Sequence, residues 1–299
     1  FIVYAALTVV GVIVLGLLDT GWFEAILYCF AAVSTGGFAP HDASLAGLQS
    51  HLAQALIILL SVAGGISLIL YQRLFHSDLR DTLKDHQLQG YFFLGLLMTL
   101  LLASSFWLQG NYNWKQALGH GALNALSAQS TAGFATLNLS EIDGGSKLVL
   151  VFSMFVGGSI GSTAGGIKIL RLLILMRLFY LVIQRSGMPQ NAVAEAQLGG
   201  RRLEADEIQN ALCLVLVYMV FIVFSWMPFV VMGHHPLDSL FEVVSAIGTA
   251  GLSAGITDTG LHPFLKVVLC LDMLLGRLEI FAWLVLVFPG TWFGKRLEK

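Results

Sequence analysis

Three short Thr/Gly stretches recur in this chain: STGGF at 34–38, STAGF at 130–134 and GTAGL at 248–252. Each follows an apolar stretch of half-span length, at 23–33, 114–129 and 237–247. Crossing the hydrocarbon core takes about 20 apolar residues, so stretches this short read as re-entrant or interfacial. Longer apolar runs flank them at 2–18, 52–75, 91–108, 147–183, 208–232 and 265–289. The unit span, half-helix, Thr/Gly loop, span therefore repeats three times. One STAGF alone is a weak signal, because small residues also pack membrane helices closely. Three in register, aligning Thr35, Thr131 and Thr249 and then Gly37, Gly133 and Gly251, are hard to explain by packing alone.

The expected fold class is an all-α membrane protein of repeated span–P-loop–span units, as in potassium channels. Composition agrees: 57% of the 299 residues are hydrophobic and only 11% charged, where a soluble domain carries about 25%. The units read as 1–75, 91–183 and 208–292, joined by linkers at 76–90 and 184–207. Cys29, Cys213 and Cys270 lie in apolar stretches at spacings that match no metal or redox motif and read as packing residues. Residues 2–18 lead into further spans rather than a cleavage site. The chain begins at Phe1, and the sequence reading expects a fragment or an N-terminally trimmed chain.

Lys and Arg favour cytoplasmic loops. They gather after the first pair of spans (Arg73, Arg80, Lys84), after the second (Lys168, Arg171, Arg177, Arg185, Arg201, Arg202) and at the end (Lys295, Arg296, Lys299). The opposite side holds Lys115, Lys147 and Lys266 among Asp19, Glu24, Asp42, Glu141, Asp143, Asp238, Glu242 and Asp258. Both chain ends are therefore expected in the cytoplasm, with the Thr/Gly loops entering from outside through an acidic mouth that can concentrate cations.

A cation entering a membrane exchanges water for other oxygens, and rings of backbone carbonyls supply them. Glycine lets consecutive carbonyls turn toward one axis. A half-helix ending at the loop offers its partially negative C-terminus to the same point. The candidate ion-binding filter is Ser34, Thr35, Gly36 and Gly37; Ser130, Thr131, Ala132 and Gly133; and Gly248, Thr249, Ala250 and Gly251. None of the three pentapeptides is charged, so the ligands are expected to be carbonyls.

The run 147–183 is interrupted by GGSIGSTAGGIK at 157–168. Unpaired backbone costs several kcal/mol per group in hydrocarbon, so such a stretch survives only inside protein or beside water. Ser159, Ser162 and Thr163 are expected to be solvated in a pathway beneath the filter. Gly157, Gly158, Gly161, Gly165 and Gly166 would let the loop rearrange, and Lys168 would reach the cytoplasmic end. A kinked span packed on a neighbour is the plain alternative. Arg277 and Glu279 lie deep in the last span, where ionisable residues face a bundle interior or an aqueous cavity; an ion pair or snorkelling is the alternative.

These residues resemble the Trk/Ktr/HKT superfamily of potassium and sodium transporters. GGSIGSTAGGIKILRLL and LLGRLEIF look like its bacterial Trk-type membrane subunit. The resemblance covers essentially the whole chain. It implies one potassium-selecting glycine per loop (Gly37, Gly133, Gly251), an intramembrane gating loop at 157–168 and an Arg beside it (Arg277). It implies potassium as the transported ion, a bacterial inner-membrane location among lipid, a homodimer, and a cytoplasmic nucleotide-binding regulatory subunit, for which the polar 183–206 stretch is a plausible docking surface. The family has four repeats around a pseudo-fourfold pore. This chain matches the second, third and fourth, and GTAGL departs from the other loops at Gly248 and Leu252.

Other classes are poorly supported. HExxH and paired His ligands within a span are missing, so an enzyme is not expected. The 157–168 glycines do not meet the G-x-x-x-x-G-K-[ST] spacing of a phosphate loop. His76, His86, His120, His234 and His235 read as structural or solvated. Asn138-Leu139-Ser140 fits a glycosylation sequon at little weight. Nucleic-acid binding has no support and no cofactor is expected. A non-conducting structural or regulatory subunit and a mixed potassium/sodium transporter stay open.

Overall fold

The structure, a computed structural model, describes residues 2–18, 20–76, 82, 84–110, 112–187, 196–199, 201–277, 283, 285, 286 and 288. Glu279 and most of the expected last span beyond Arg277, together with Asp19, Arg80, Lys295, Arg296 and Lys299, lie outside the described residues.

Among the described residues the chain is almost entirely helical. The first part holds α1 (Ile2–Gly16), α2 (Trp22–Val33), α3 (His51–Gly64) and α4 (Leu68–His76). Then come α5 (His86–Leu108), α6 (Trp114–Gln129), α7 (Gly144–Phe155) and α8 (Ile169–Ser186). The last part holds α9 (Ala205–Val231), α10 (Pro236–Ile247) and α11 (Pro263–Arg277). Before α9, Gln197–Leu198 (β1) and Arg201–Arg202 (β2) pair antiparallel, Gln197 opposite Arg202 and Leu198 opposite Arg201.

Helix α5, 23 residues, and α9, 27 residues, are long and apolar enough to cross a membrane. Phe92, Phe93 and Leu96 on α5 and Phe224, Met227 and Val231 on α9 are exposed. Outward apolar surface of that extent marks a lipid or protein contact rather than a water-facing side. The starts are set by local chemistry. Asp85 Oδ1 accepts from Gln87 N at 2.8 Å and Leu88 N at 3.3 Å, capping α5. Asp143 Oδ2 caps α7 through Gly145 N and Ser146 N at 2.9 and 3.2 Å. Pro236 opens α10 at a first-turn position, where its missing N–H costs nothing.

The apolar run 52–75, expected as one span, is divided: α3 stops at Gly64 and α4 starts at Leu68. The reason lies 99 residues later in the chain. Gly64 O accepts from Thr163 N at 3.2 Å and Thr163 Oγ1 at 3.1 Å. Gly65 O accepts from Ser159 N at 2.9 Å, and Leu68 N donates to Gly161 O at 3.3 Å. Tyr71 Oη adds a bond to Ala63 O at 2.9 Å. The backbone groups freed by one interruption are satisfied by the other, as buried polar backbone requires.

The core forms two clusters. One joins α1–α3 and includes Tyr28 and Ile57, with Tyr91, Ala132 and Phe134 from the next part of the chain. The larger one joins α5–α7 with α9–α11 and includes Phe106, Leu150, Phe229, Phe241 and Leu252. Lys147, placed on the outer side by the sequence reading, is buried between these helices and pairs with Asp238 Oδ1 at 2.7 Å.

Candidate functional site

Helices α2, α6 and α10 end alike. Ser34, Ser130 and Gly248 cap them in right-handed conformation. The next residue is in every case a threonine in the left-handed region, Thr35 at φ 52°, Thr131 at 54° and Thr249 at 53°. Two backbone bonds recur at each end: Thr35 N to Ala32 O (3.0 Å) with Gly36 N to Ala31 O (2.7 Å); Thr131 N to Ala128 O (3.1 Å) with Ala132 N to Ser127 O (3.0 Å); and Thr249 N to Ala246 O (3.0 Å) with Ala250 N to Ser245 O (2.8 Å). This is the Schellman pattern of helix termination, which normally uses glycine at the left-handed position. A β-branched residue there is strained, and such strain collects at functional sites.

Two residues on, Gly37, Gly133 and Gly251 also have positive φ, at 71°, 77° and 79°. The loops meet in a directional chain. A Cβ on Gly37 would lie 2.1 Å from Ala132 O, and one on Gly133 would lie 1.9 Å from Ala250 O. The same position on Gly251 has nothing within 4 Å. At the other end, Phe38 is 82% exposed, whereas its counterparts Phe134 and Leu252 are 0% and 3% exposed. Phe134 reaches its place by packing into the α1–α3 cluster, 6.2 Å between ring centroids from Tyr28.

The 157–168 segment lies against all three threonines. Thr35 Oγ1 donates to Thr163 O at 2.9 Å. Gly165 N donates to Thr131 Oγ1 at 2.8 Å. A Cβ on Gly165 would lie 2.2 Å from Thr249 Oγ1, so that approach admits only glycine. The segment is anchored at its base by Gly157 N to Ile167 O and Ile167 N to Phe155 O, both 3.0 Å, and by Ile169 N to Gly158 O at 3.2 Å. Arg277, at the end of α11, donates from Nη1 to Thr163 O at 3.1 Å.

Other predicted loop residues behave differently from expectation. The hydroxyls expected in water are turned to protein: Thr163 Oγ1 donates to Val33 O and Gly64 O, and Ser162 Oγ to Ser159 O at 2.7 Å. Ser159 is fully buried, its Oγ without a hydrogen-bond partner among the described residues. Lys168, expected at the cytoplasmic end of a water path, is buried and turns back to the carbonyl of Ala164. Most of these polar groups find protein partners, as burial favours, although Ile160 and Gly161 at the tip of the loop are exposed.

A set of braces was missed. Seven residues before each strained threonine stand Tyr28, Asn124 and Glu242. Tyr28 Oη donates to Ser44 O at 3.4 Å. Asn124 bonds both ways with Thr136, Nδ2 to Oγ1 at 2.7 Å and backbone N to Oδ1 at 3.1 Å. Glu242 Oε1 accepts from Ser253 Oγ (2.6 Å), Ala254 N (2.9 Å) and Ile256 N (3.2 Å), and its Oε2 from Thr257 Oγ1 (2.7 Å). Each side chain ties a half-helix to the chain leaving the loop. The signal was present: a polar residue in register in three apolar stretches.

Two helices long and apolar enough to cross a membrane, and three shorter helices that end in uncharged Thr/Gly loops, fit a membrane protein of the ion-transport class. The chain belongs to the TrkH family, described as cation transport protein, whose profile matches residues 1–290. It is 27% identical over 299 residues to the Trk system potassium uptake protein TrkH of Escherichia coli K12, covering 98% of this chain and 61% of that protein. It is 28% identical to the Trk system potassium uptake protein TrkG of the same strain, with 98% and 61% covered. The crystal structure of the potassium transporter TrkH from Vibrio parahaemolyticus superimposes with a TM-score of 0.89 at 26% identity, covering 97% of this chain and 63% of that one. The chain thus spans about three-fifths of the length of these relatives. The family is one of transporters, not enzymes.

Proposed function

We propose that this chain forms three quarters of a potassium-conducting pore, in which Thr35–Gly37, Thr131–Gly133 and Thr249–Gly251 present backbone carbonyls to the ion. The observation that carries this reading is the directional contact of the loops, Gly37 on Ala132 and Gly133 on Ala250, with one backbone conformation repeated at each. Carbonyl rings of this kind replace a cation's water shell. Residues 157–168 act as the gate beneath the ring, held by Arg277. The exposed Phe38 and the open side of Gly251 are the two faces at which a fourth loop of the same kind fits. The orientation is that given by the basic residues, both ends cytoplasmic and loops entering from outside, in a bacterial inner membrane. The family resemblance adds a homodimer and a cytoplasmic nucleotide-binding regulator.

The test is rubidium uptake into proteoliposomes holding the chain, with and without a supplied fourth unit. Uptake that needs the added unit supports a fourfold ring. Sodium passing as readily as rubidium through the completed ring would leave a mixed cation transporter, and no flux at all would leave a non-conducting subunit.

A further inference from the structure

The interface between α9 and α11 buries a carboxyl group that the proposed pathway does not use. Asp272, on α11, is 1% exposed. Its Oδ1 accepts from Ser225 Oγ at 2.6 Å, while Oδ2 has no hydrogen-bond partner among the described residues. Seven residues before Ser225, on the same face of α9, Tyr218 is also buried and its hydroxyl also lacks a partner. The two groups interact electrostatically. Tyr218 lines a cavity of about 30 Å³ that reaches Gly166 and Ile167 of the intramembrane loop, Arg171, and Gly276 of α11. Its volume is enough for a water molecule, which needs roughly 10–15 Å³.

The charged groups around Asp272 bond to other residues, and Arg171 of α8 stands on the wall of the cavity that Tyr218 lines. On α11 itself, Arg277 faces Thr163 O and Lys266 Nζ donates to Thr259 O at 2.8 Å. On α10, Glu242 is saturated by the 253–257 segment, and Asp238 is paired with Lys147. From α9 the facing groups are Ser225 and Tyr218. An ionised carboxylate buried with one hydrogen bond, and with no cation bonded to it among the described residues, pays a large desolvation cost. A neutral acid avoids that cost, and a proton on Oδ2 turns the unpartnered acceptor into a donor.

We propose that Asp272 is a proton-binding site: it carries its proton on Oδ2 in the dry α9–α11 interface, and the proton exchanges with solvent by way of the Tyr218 hydroxyl and the water-sized cavity beside Gly166. Losing the proton leaves a negative charge buried on the helix that also carries Arg277.

Infrared difference spectroscopy of the full chain in lipid vesicles, between neutral and alkaline pH, reads the carboxyl directly. At neutral pH a protonated-carboxyl carbonyl band is expected that is absent in Asp272→Asn and displaced in frequency in Asp272→Glu; the Glu variant makes the assignment if the Asn variant folds poorly. Tyr218→Phe is expected to displace the same band. A neutral-pH spectrum in which Asp272→Asn removes carboxylate bands only would overturn the proposal, and a band unmoved by Tyr218→Phe would overturn the exchange route. The readout needs no ion flux, so it stands or falls apart from the conduction reading.

Discussion

Arg277 Nη1 and Thr35 Oγ1 donate to one and the same carbonyl oxygen, that of Thr163, from 3.1 and 2.9 Å. Helix α11 on one side and a strained loop on the other are thereby joined through a single atom of the 157–168 segment. The two donors between them occupy both lone pairs of that oxygen.

Replacing Arg277 by Gln keeps a donor but removes the charge. A hydrogen bond from a charged group contributes about 1.5–3 kcal/mol, so the segment should open more readily, and rubidium flux through the completed pore should rise about tenfold. Flux equal to that of the parent would show that Arg277 does not restrain the segment.

Thr131→Ala leaves the buried Gly165 N–H without its acceptor, which costs about 1–3 kcal/mol. Thr131→Ser keeps the oxygen and should recover most of the loss. Thermal unfolding in detergent separates the two; equal midpoints for Ala and Ser would sink the assignment.

Gly133→Ala and Gly251→Ala impose the same unfavourable positive φ, but only the first places a methyl 1.9 Å from a carbonyl oxygen. Backbone strain of about 1–2 kcal/mol is common to both. Gly133→Ala should therefore be the more destabilised by several kcal/mol, typical of overpacking. In the presence of a supplied fourth unit that gap should narrow, because Gly251 then acquires a neighbour.

At the N-terminal end of α7, burial tends to raise the Asp143 carboxyl, but Ser146, Gln109 and Gly145 bond to its charged form and the net shift is downward. A depressed carboxylate stabilises the fold above its unfolded pKa of about 3.9, and that contribution is lost as pH falls through the lower folded value. Acid unfolding of Asp143→Asn, followed by circular dichroism, should lack this component. An unchanged acid limb in the variant would refute the assignment.

The helical membrane class was legible because long apolar runs admit little else, and the resemblance rested on short motifs that survive as strings. What escaped the sequence depends on contacts far apart in the chain. The run 52–75 contains Gly64-Gly65, yet nothing local requires a break; the requirement comes from Ser159, Gly161 and Thr163. The left-handed threonines were hidden for a different reason, since local preference argues against them and only the surrounding contacts impose them. Tyr28, Asn124 and Glu242 share a register position but no residue type, so a search for identical letters passes over them. The pairing of Lys147 with Asp238, both assigned to the outer side, went unseen because they stand 91 residues apart.

The paired interruptions also constrain how the chain is made. Synthesis runs from the N-terminus, so the segment ending in Gly64 reaches the bilayer while Thr163, 99 residues behind, is still to be translated. Until then the carbonyls of Gly64 and Gly65 have no protein donors, and hydrocarbon offers none. The hairpin that carries Gly64 and Gly65 therefore gains these protein donors only once the later loop has been made, with water or another partner holding the place until then.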